Sequence, residues 1–299
     1  MSVGSTTVPA NRGQRNGVND GLNERRASDG LSKPKPPIKW AGGKQQLLPQ
    51  FAPLFPTGPV TKYAEPFVGG GAVFFYLEPE SAVLIDNNPE LMNFYEVVRT
   101  DVEGLIEHAK GHLNDRDYYY SIRELDPERL SPVERASRFL YLNKTAYNGL
   151  WRVNSKGKHN VPFGRYRNPK IVDEWNLRLV SAALRNVLLI RGDFERIVEF
   201  AERGMFVYFD PPYQPVSDTA NFTGYTAEAF GSADQERLAR VFRTLDEMGC
   251  LLMASNSDTE FIRRLYEGYD IRIVVARRAI NCRGEKRGPI RELVIRNYG

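Results

Sequence analysis

Met205-Phe206-Val207-Tyr208-Phe209-Asp210-Pro211-Pro212-Tyr213 decides how the rest of the chain is read. The apolar run between Gly204 and Asp210 has the length and the β-branched and aromatic content of a buried strand. A carboxylate and two rigid prolines then end it. At the carboxyl edge of a sheet, such an ending can hold an acceptor oxygen and neighbouring backbone carbonyls beside an aromatic ring. That arrangement suits a planar base carrying an exocyclic amine, with oxygens accepting its N–H bonds and the ring stacked on its face. Asp-Pro-Pro is equally ordinary turn chemistry, so the reading depends on what accompanies it.

Working outward, strands and helices alternate on both sides. Upstream, residues 61–65 predict a strand, 71–77 a helix, 82–85 a short buried strand ending at Asp86, and 89–98 an amphipathic helix. Strands return at 187–190, 205–209, 250–254, 271–275 and 292–295, with helices at 194–202, 232–248 and 258–266. No helix separates the last two strands, which predicts an antiparallel pair. Between 99 and 186 the alternation stops. Helices at 101–110, 117–125 and 132–142 follow one another, then a hairpin around Lys156-Gly157-Lys158 and a helix near 173–184. The simplest architecture is an α/β sheet built from 35–98 and 187–299, interrupted by a mostly helical insertion at 99–186. Residues 1–34, rich in Ser, Gly, Asn and Arg without apolar periodicity, predict a disordered tail.

The chain has 299 residues, enough for one large domain or two modest ones. No apolar stretch approaches the roughly 20 residues of a membrane span, and the N-terminus lacks a secretory pattern. Cys250 and Cys282 show no metal-ligand spacing, and His108 and His112, four apart on a helical stretch, have no third ligand in evidence, so no metal is expected and a reducing, cytoplasmic setting fits. The net charge of +4 decides little, but its distribution decides more. From Arg135 to Val172 there is no Asp or Glu, while Arg135, Arg138, Lys144, Arg152, Lys156, Lys158, Arg165, Arg167 and Lys170 are all present. Such a block reads as a footprint for a polyanion.

Two further motifs flank the first strand. Phe67-Val68-Gly69-Gly70-Gly71 follows it and opens a helix, where glycines permit a tight turn and close backbone approach to a ligand. Asp86, ending the next strand, stands about where a carboxylate holds ribose hydroxyls. Position 74 is Phe, which breaks the dinucleotide G-x-G-x-x-G spacing, and there is no phosphate-binding Gly-Lys-Ser/Thr loop, so a nucleoside cofactor is favoured over a triphosphate. Upstream, Lys39-Trp40-Ala41-Gly42-Gly43-Lys44 reads either as an exposed loop or as a lid, with Trp40 over an apolar part of a cofactor and Lys44 meeting a carboxylate.

In this order, and with a basic insertion before the last motif, Lys39–Lys44, Glu65–Gly71 and Asp210–Tyr213 resemble the Dam-type (D12 class) N6-adenine DNA methyltransferases. Leu142 to Arg152, Asn160 to Tyr166, Thr219-Ala220-Asn221-Phe222-Thr223, Ser255-Asn256-Ser257-Asp258-Thr259 and Arg277-Arg278-Ala279-Ile280 extend the likeness over roughly residues 36–298. The resemblance implies a Rossmann-like sheet dependent on S-adenosylmethionine, with an inserted target-recognition domain that binds double-stranded DNA. It implies cofactor contacts from Trp40, Lys44, Phe67, Gly69, Gly71, Asp86, Asp193 and Asp210. Asp193 reads equally as a helix cap. Catalysis would fall to Asp210, Pro211, Pro212 and Tyr213. DNA contacts would fall to Lys39, Tyr147, Asn148, Leu150, Arg152, Pro162, Arg165 and Tyr166, with Tyr147 as an aromatic wedge and GATC as the target. Arginine can bond guanine bidentately and an aromatic wedge can fill an opened stack, so Arg152 and Tyr147 are the preferred specificity positions. Trp151 departs from the small residue of some members. An RNA or protein amine methyltransferase, or a catalytically idle DNA-binding protein, stay open as alternatives, as does a partner restriction endonuclease.

Overall fold

The computed structural model describes residues 32–215, 230–276 and 290–299. The expected tail, apart from its last three residues, lies outside the described residues, as do 219–223, 277–280 and Cys282. Met1–Lys33 separates from Pro34–Gly299, which forms one compact unit.

Along that unit run α1 (Leu48–Phe51), β1 (Lys62–Glu65), α2 (Ala72–Leu77), β2 (Ser81–Asp86) and α3 (Pro89–Thr100). Next come α4 (Val102–Lys110), α5 (Arg116–Glu124), α6 (Pro132–Thr145) and α7 (Glu174–Ala183). The chain then re-enters the sheet through β3 (Val187–Arg191), β4 (Phe206–Phe209), α8 (Ser232–Glu247), β5 (Leu251–Ser257), α9 (Glu260–Leu265), β6 (Asp270–Ala276) and β7 (Ile290–Arg296). Every expected strand is present, with ends shifted by up to three residues. Helix starts follow their capping chemistry. Asn88 accepts from the N–H groups of Glu90 and Leu91 ahead of Pro89, and Ser131 forms a reciprocal capping box with Glu134.

The seven strands lie in the order β3-β2-β1-β4-β5-β7-β6. The first five are parallel, and β7 pairs antiparallel with both β5 and β6. The antiparallel end was expected; β7 inserting between β5 and β6 was not. All four residues of β4 are buried, because helices cover both faces of a parallel sheet. Chain direction across the sheet reverses between β1 and β4, and at such a switch point the loops diverge and leave a crevice at the carboxyl edge. That edge carries Gly69–Gly71, Asp86, Asp193 and Asp210–Tyr213.

Helices α4–α7 do not build a separate core. Phe139, Trp151 and Leu177 belong to the same buried cluster as Leu84 and Phe206 of the sheet. Trp151, open in function from sequence, is 2% exposed and packs 4.4 Å from the Phe139 ring and 4.6 Å from the His159 ring. Its bulk therefore fills the interior beneath the basic loops. The hairpin forms: Val153 bridges His159, and Gly157, at φ +72°, donates to the Asn154 carbonyl to close the turn.

Candidate active site

The carboxyl-edge crevice is a cavity of about 560 Å³. Trp40, Lys44, Phe67, Gly69, Gly71, Asp86, Asp193, Asp210, Pro211, Pro212 and Tyr213, scattered over the sequence, all line it.

One end is built around Asp210. Lys44 Nζ lies 2.7 Å from Asp210 Oδ1 and donates to Oδ2 at 2.8 Å, while a further N–H reaches the Gly42 carbonyl at 2.6 Å. Ser255 Oγ donates to Asp210 Oδ1 at 2.9 Å and is itself 2.9 Å from the buried Tyr208 hydroxyl. The two prolines differ. The Pro212 carbonyl accepts from Gln235 Nε2 at 2.9 Å, whereas no donor among the described residues reaches the Pro211 carbonyl. The Gln214 N–H and carbonyl are bonded to Asn256 and Ser257, so the backbone after the tetrapeptide is anchored on β5. Tyr213 donates its hydroxyl to Glu292 Oε2 at 2.7 Å, and the Lys44 ammonium sits 4.8 Å from its ring centre.

Carboxylates crowd this end. Glu65, 3% exposed at the end of β1, accepts from the Tyr63 hydroxyl at 2.9 Å. Burial pushes its pKa well above the usual carboxylate range, and the Asp210 charge adds to that against the Tyr63 hydrogen bond. Burial also raises Glu292, opposed by the Lys44 charge. Burial and the neighbouring Asp210 and Glu292 hold the Tyr213 hydroxyl protonated. Lys44 is thus the cation that three acids share.

The other end is shaped by the glycine turn. Gly69 and Gly71 take φ of +47° and +69°. A Cβ on Gly69 would stand 2.5 Å from Trp40 Cδ1, so only glycine lets the indole close over the turn. Asp86, in the cavity wall, accepts from the Gly69 N–H at 3.1 Å and the Asn88 N–H at 2.9 Å, with the Asn87 N–H adding to them, fewer bonds than the four lone pairs of a carboxylate. Burial outweighs those bonds and lifts its pKa to about 6. Phe67 stacks on Phe194 at 5.2 Å and meets Phe230 edge-on at 5.7 Å. Asp193 caps the 3-10 turn Phe194–Glu199 by accepting from the Glu195 N–H, and it pairs with Arg237 at 2.9 Å. Asp193 is therefore the helix cap that its sequence context allowed, and it also lies in the cavity wall.

The residues expected to meet DNA gather away from the cavity floor, around the 3-10 turn Tyr147–Gly149 and the hairpin. Tyr147 is half-exposed and anchored by its N–H to the Pro162 carbonyl at 2.9 Å. Asn148 and Arg165 adopt left-handed backbone with φ of +55°. Arg152 is exposed, its Nε donating to Asn160 Oδ1 at 2.8 Å. Pro162 is exposed, Leu150 half-buried, and Lys39 Nζ lies 4.6 Å over the Tyr166 ring. The basic block is smaller than its sequence count. Arg135 pairs with Glu90 at 2.6 Å, and buried Arg138 donates to the carbonyls of Ile122 and Arg123. These two face the interior because they lie three apart on the packed face of α6; that spacing was the available signal. Lys156, Lys158, Arg165, Arg167 and Lys170 stay exposed.

Sequence reasoning gave no role to Ser255, Glu292, Glu65 or Asn143. Ser255 lay within a quoted block, and Glu292 was an acid opening an otherwise apolar strand. Among the described residues, no group of His, Cys, Asp and Glu could hold a metal ion, and no helix is long and apolar enough to cross a membrane.

Known proteins share this chain's pattern. Type II methyltransferase M.MjaIII of Methanocaldococcus jannaschii is 47% identical over 286 residues, 88% of this chain and 99% of its own. Type II methyltransferase M1.LlaDCHI of Lactococcus lactis subsp. cremoris is 44% identical over 89% of this chain and 96% of its own. The DNA adenine methylase of Haemophilus influenzae is 38% identical over 88% and 93% respectively. Residues 40–280 match the sequence model of one family, a span that contains Asp86, Asp210 and the basic loops but not Glu292. The chain belongs to the D12 class N6 adenine-specific DNA methyltransferases.

Proposed function

We propose that the protein methylates the N6 amine of an adenine turned out of duplex DNA, within GATC, using S-adenosylmethionine. One observation carries the reading: a carboxylate fixed by Lys44 and Ser255 stands next to the Pro211 carbonyl, which no donor among the described residues reaches, and a tethered Tyr213 ring. Two acceptors and a stacking face are what an exocyclic amine on a planar base needs. The cofactor fits the other end. The whole cavity, about 560 Å³, is within the range of small-molecule sites, and at this end Asp86 and Phe67 both line it, a carboxylate for ribose hydroxyls and an apolar ring.

When bound, S-adenosylmethionine supplies an electrophilic methyl carbon on a sulfonium leaving group. Asp210 and the Pro211 carbonyl accept the two N–H bonds of the amine, drawing its nitrogen toward tetrahedral geometry and aiming its lone pair into the cavity. Lys44 and Ser255 keep the Asp210 carboxylate from reorienting, so most of the acceleration comes from positioning and preset electrostatics. The methylated nitrogen is acidic and gives its extra proton to solvent once the methyl–sulfur bond has broken, so the step needs no strong base.

The segment 99–186 serves as the target-recognition part. Turning a base out costs about a few kcal/mol, and the exposed Tyr147 offsets some of that by filling the opened stack. Arg152, Lys39, Leu150 and Pro162 read bases, with Asn148 beside the Tyr147 wedge and Arg165 and Tyr166 nearby. The setting is the cytoplasm, and the Type II names of two relatives make a cognate restriction endonuclease a partner to test. Tritium transfer from labelled S-adenosylmethionine to GATC duplexes, present for the native chain and lost for Asp210→Ala with cofactor binding kept, tests the proposal. Label appearing in RNA or protein but not in DNA would overturn it.

A further inference from the structure

The cavity and the DNA-facing loops meet at one buried side chain. Asn143, on α6, is 0% exposed. Its Oδ1 accepts from the Lys39 N–H at 2.9 Å, and its Nδ2 donates to the Lys39 carbonyl at 2.7 Å and the Gly149 carbonyl at 3.3 Å. One carboxamide thus pairs with both backbone groups of a residue 104 positions away, as a neighbouring strand would, and spends its remaining donor on the DNA-facing turn. Its orientation is fixed by chemistry, because a flipped amide would set N–H against N–H and oxygen against two carbonyls.

The dipeptide it clamps faces both ways. The Lys39 side chain runs over Gly149, which is at φ +63° and has no room for a Cβ beside it, to reach the Tyr166 ring. Trp40 closes on the glycine turn, where a Cβ on Gly69 would stand 2.5 Å from the indole Cδ1 and one on Gly70 3.1 Å from the Trp40 Cβ. Close packing on both sides means that a shift of the Gly149 turn displaces Lys39, and Trp40 cannot stay on the glycine turn when Lys39 moves.

We propose that Asn143 is a positioning residue that couples target reading to cofactor binding through the clamped Lys39–Trp40 pair. The inference rests on the function proposed above. Engagement of the correct target at Lys39 and the Gly149 turn stabilises the placement of Trp40 over the cofactor. By reciprocity, bound cofactor sharpens DNA discrimination by the same factor.

The test measures affinity for S-adenosylhomocysteine, which cannot transfer a methyl group, with the full-length protein. It is measured alone, with the duplex that the native chain methylates best, and with that duplex altered at one base. The native chain is expected to bind the analogue about 5-fold or more tightly with the good duplex than with the altered one. Asn143→Ala is expected to bind the analogue alone within about 2-fold of native but to lose that ratio, which falls toward 1. Loss of packing alone would weaken both complexes together and leave the ratio in place. Gly149→Ala, which forces a Cβ against Lys39 and keeps the carboxamide itself, is a second route to the same signature should Asn143→Ala fail to fold. An unchanged ratio in a folded variant overturns the proposal, as does a native chain that methylates DNA yet shows no ratio. A native chain that methylates no duplex overturns the function proposal and this inference together.

Discussion

Lys44 and Asp210 lie 166 positions apart in sequence, yet the ammonium contacts both oxygens of the carboxylate in a site where Lys44 is only 5% exposed. Glu65 and Glu292 stand near the same pair. Without the cation, the neighbouring acids would hold protons more tightly, and Asp210 would lose the bond that fixes its orientation.

Lys44→Met is therefore expected to lower kcat about 100-fold or more, the usual scale for removing one preset electrostatic partner. The acidic limb of its pH–rate profile should move to higher pH, because loss of a nearby positive charge raises carboxyl pKa values. Single-turnover rates across pH 5–9 would show it. A lower rate with an unmoved limb would mean that Lys44 acts only in binding.

Asp86 predicts a second pH effect. Burial holds its pKa at about 6, and ribose hydroxyls need the ionised form as acceptor. Cofactor affinity should fall as pH drops through 6, and binding near pH 6 should release protons, because hydrogen bonds to the carboxylate favour its charged form. Calorimetry in buffers of different ionisation enthalpy reads that release directly. The sign for folding is opposite to that of a paired surface acid. A folded-state pKa above the unfolded value of 3.8 means that the folded chain binds more protons, so the Asp86 contribution to stability falls as pH rises from about 4 to 6.

The basic block divides into two groups with separable phenotypes. Arg152→Ala should relax specificity at one base, costing about 1–3 kcal/mol of discrimination, whereas Lys156→Ala and Lys158→Ala should each lower the salt slope of binding by about 1. Arg138→Ala should leave that slope unchanged and destabilise the fold, because it strips the carbonyls of Ile122 and Arg123 of their buried donor. Binding isotherms at several salt concentrations, beside urea melts, separate the two groups.

Trp151→Ala should destabilise by about 3–5 kcal/mol, the cost of emptying a well-packed aromatic site. DNA specificity per folded molecule should change little, since Trp151 is buried beneath the basic loops.

These cases show what the sequence makes visible. Strands such as β4 could be read because a parallel sheet buried on both faces demands a continuous apolar run, and Asp86 and Asp210 could be read because such runs end where the sheet meets solvent. The position of β7 between β5 and β6 is set by pairing across a distance that no local pattern encodes. The inward turn of Arg135 and Arg138 was obscured because a count of charges ignores which helix face they share. Asn143 was hidden for another reason: its three partners are backbone groups, and backbone groups leave no trace in residue type.

In the function proposed above, Asp210–Tyr213 accepts an adenine amine while the loops around Tyr147–Tyr166 choose its position. Base-resolved mapping of modified adenines in DNA from cells expressing the native chain, Asp210→Ala and Arg152→Ala tests both halves together. N6-methyladenine confined to GATC with the native chain, none with Asp210→Ala, and methylation spread to one-base variants with Arg152→Ala is the expected result. Modified adenines persisting at native density with Asp210→Ala, or an unaltered site pattern with Arg152→Ala, would contradict it.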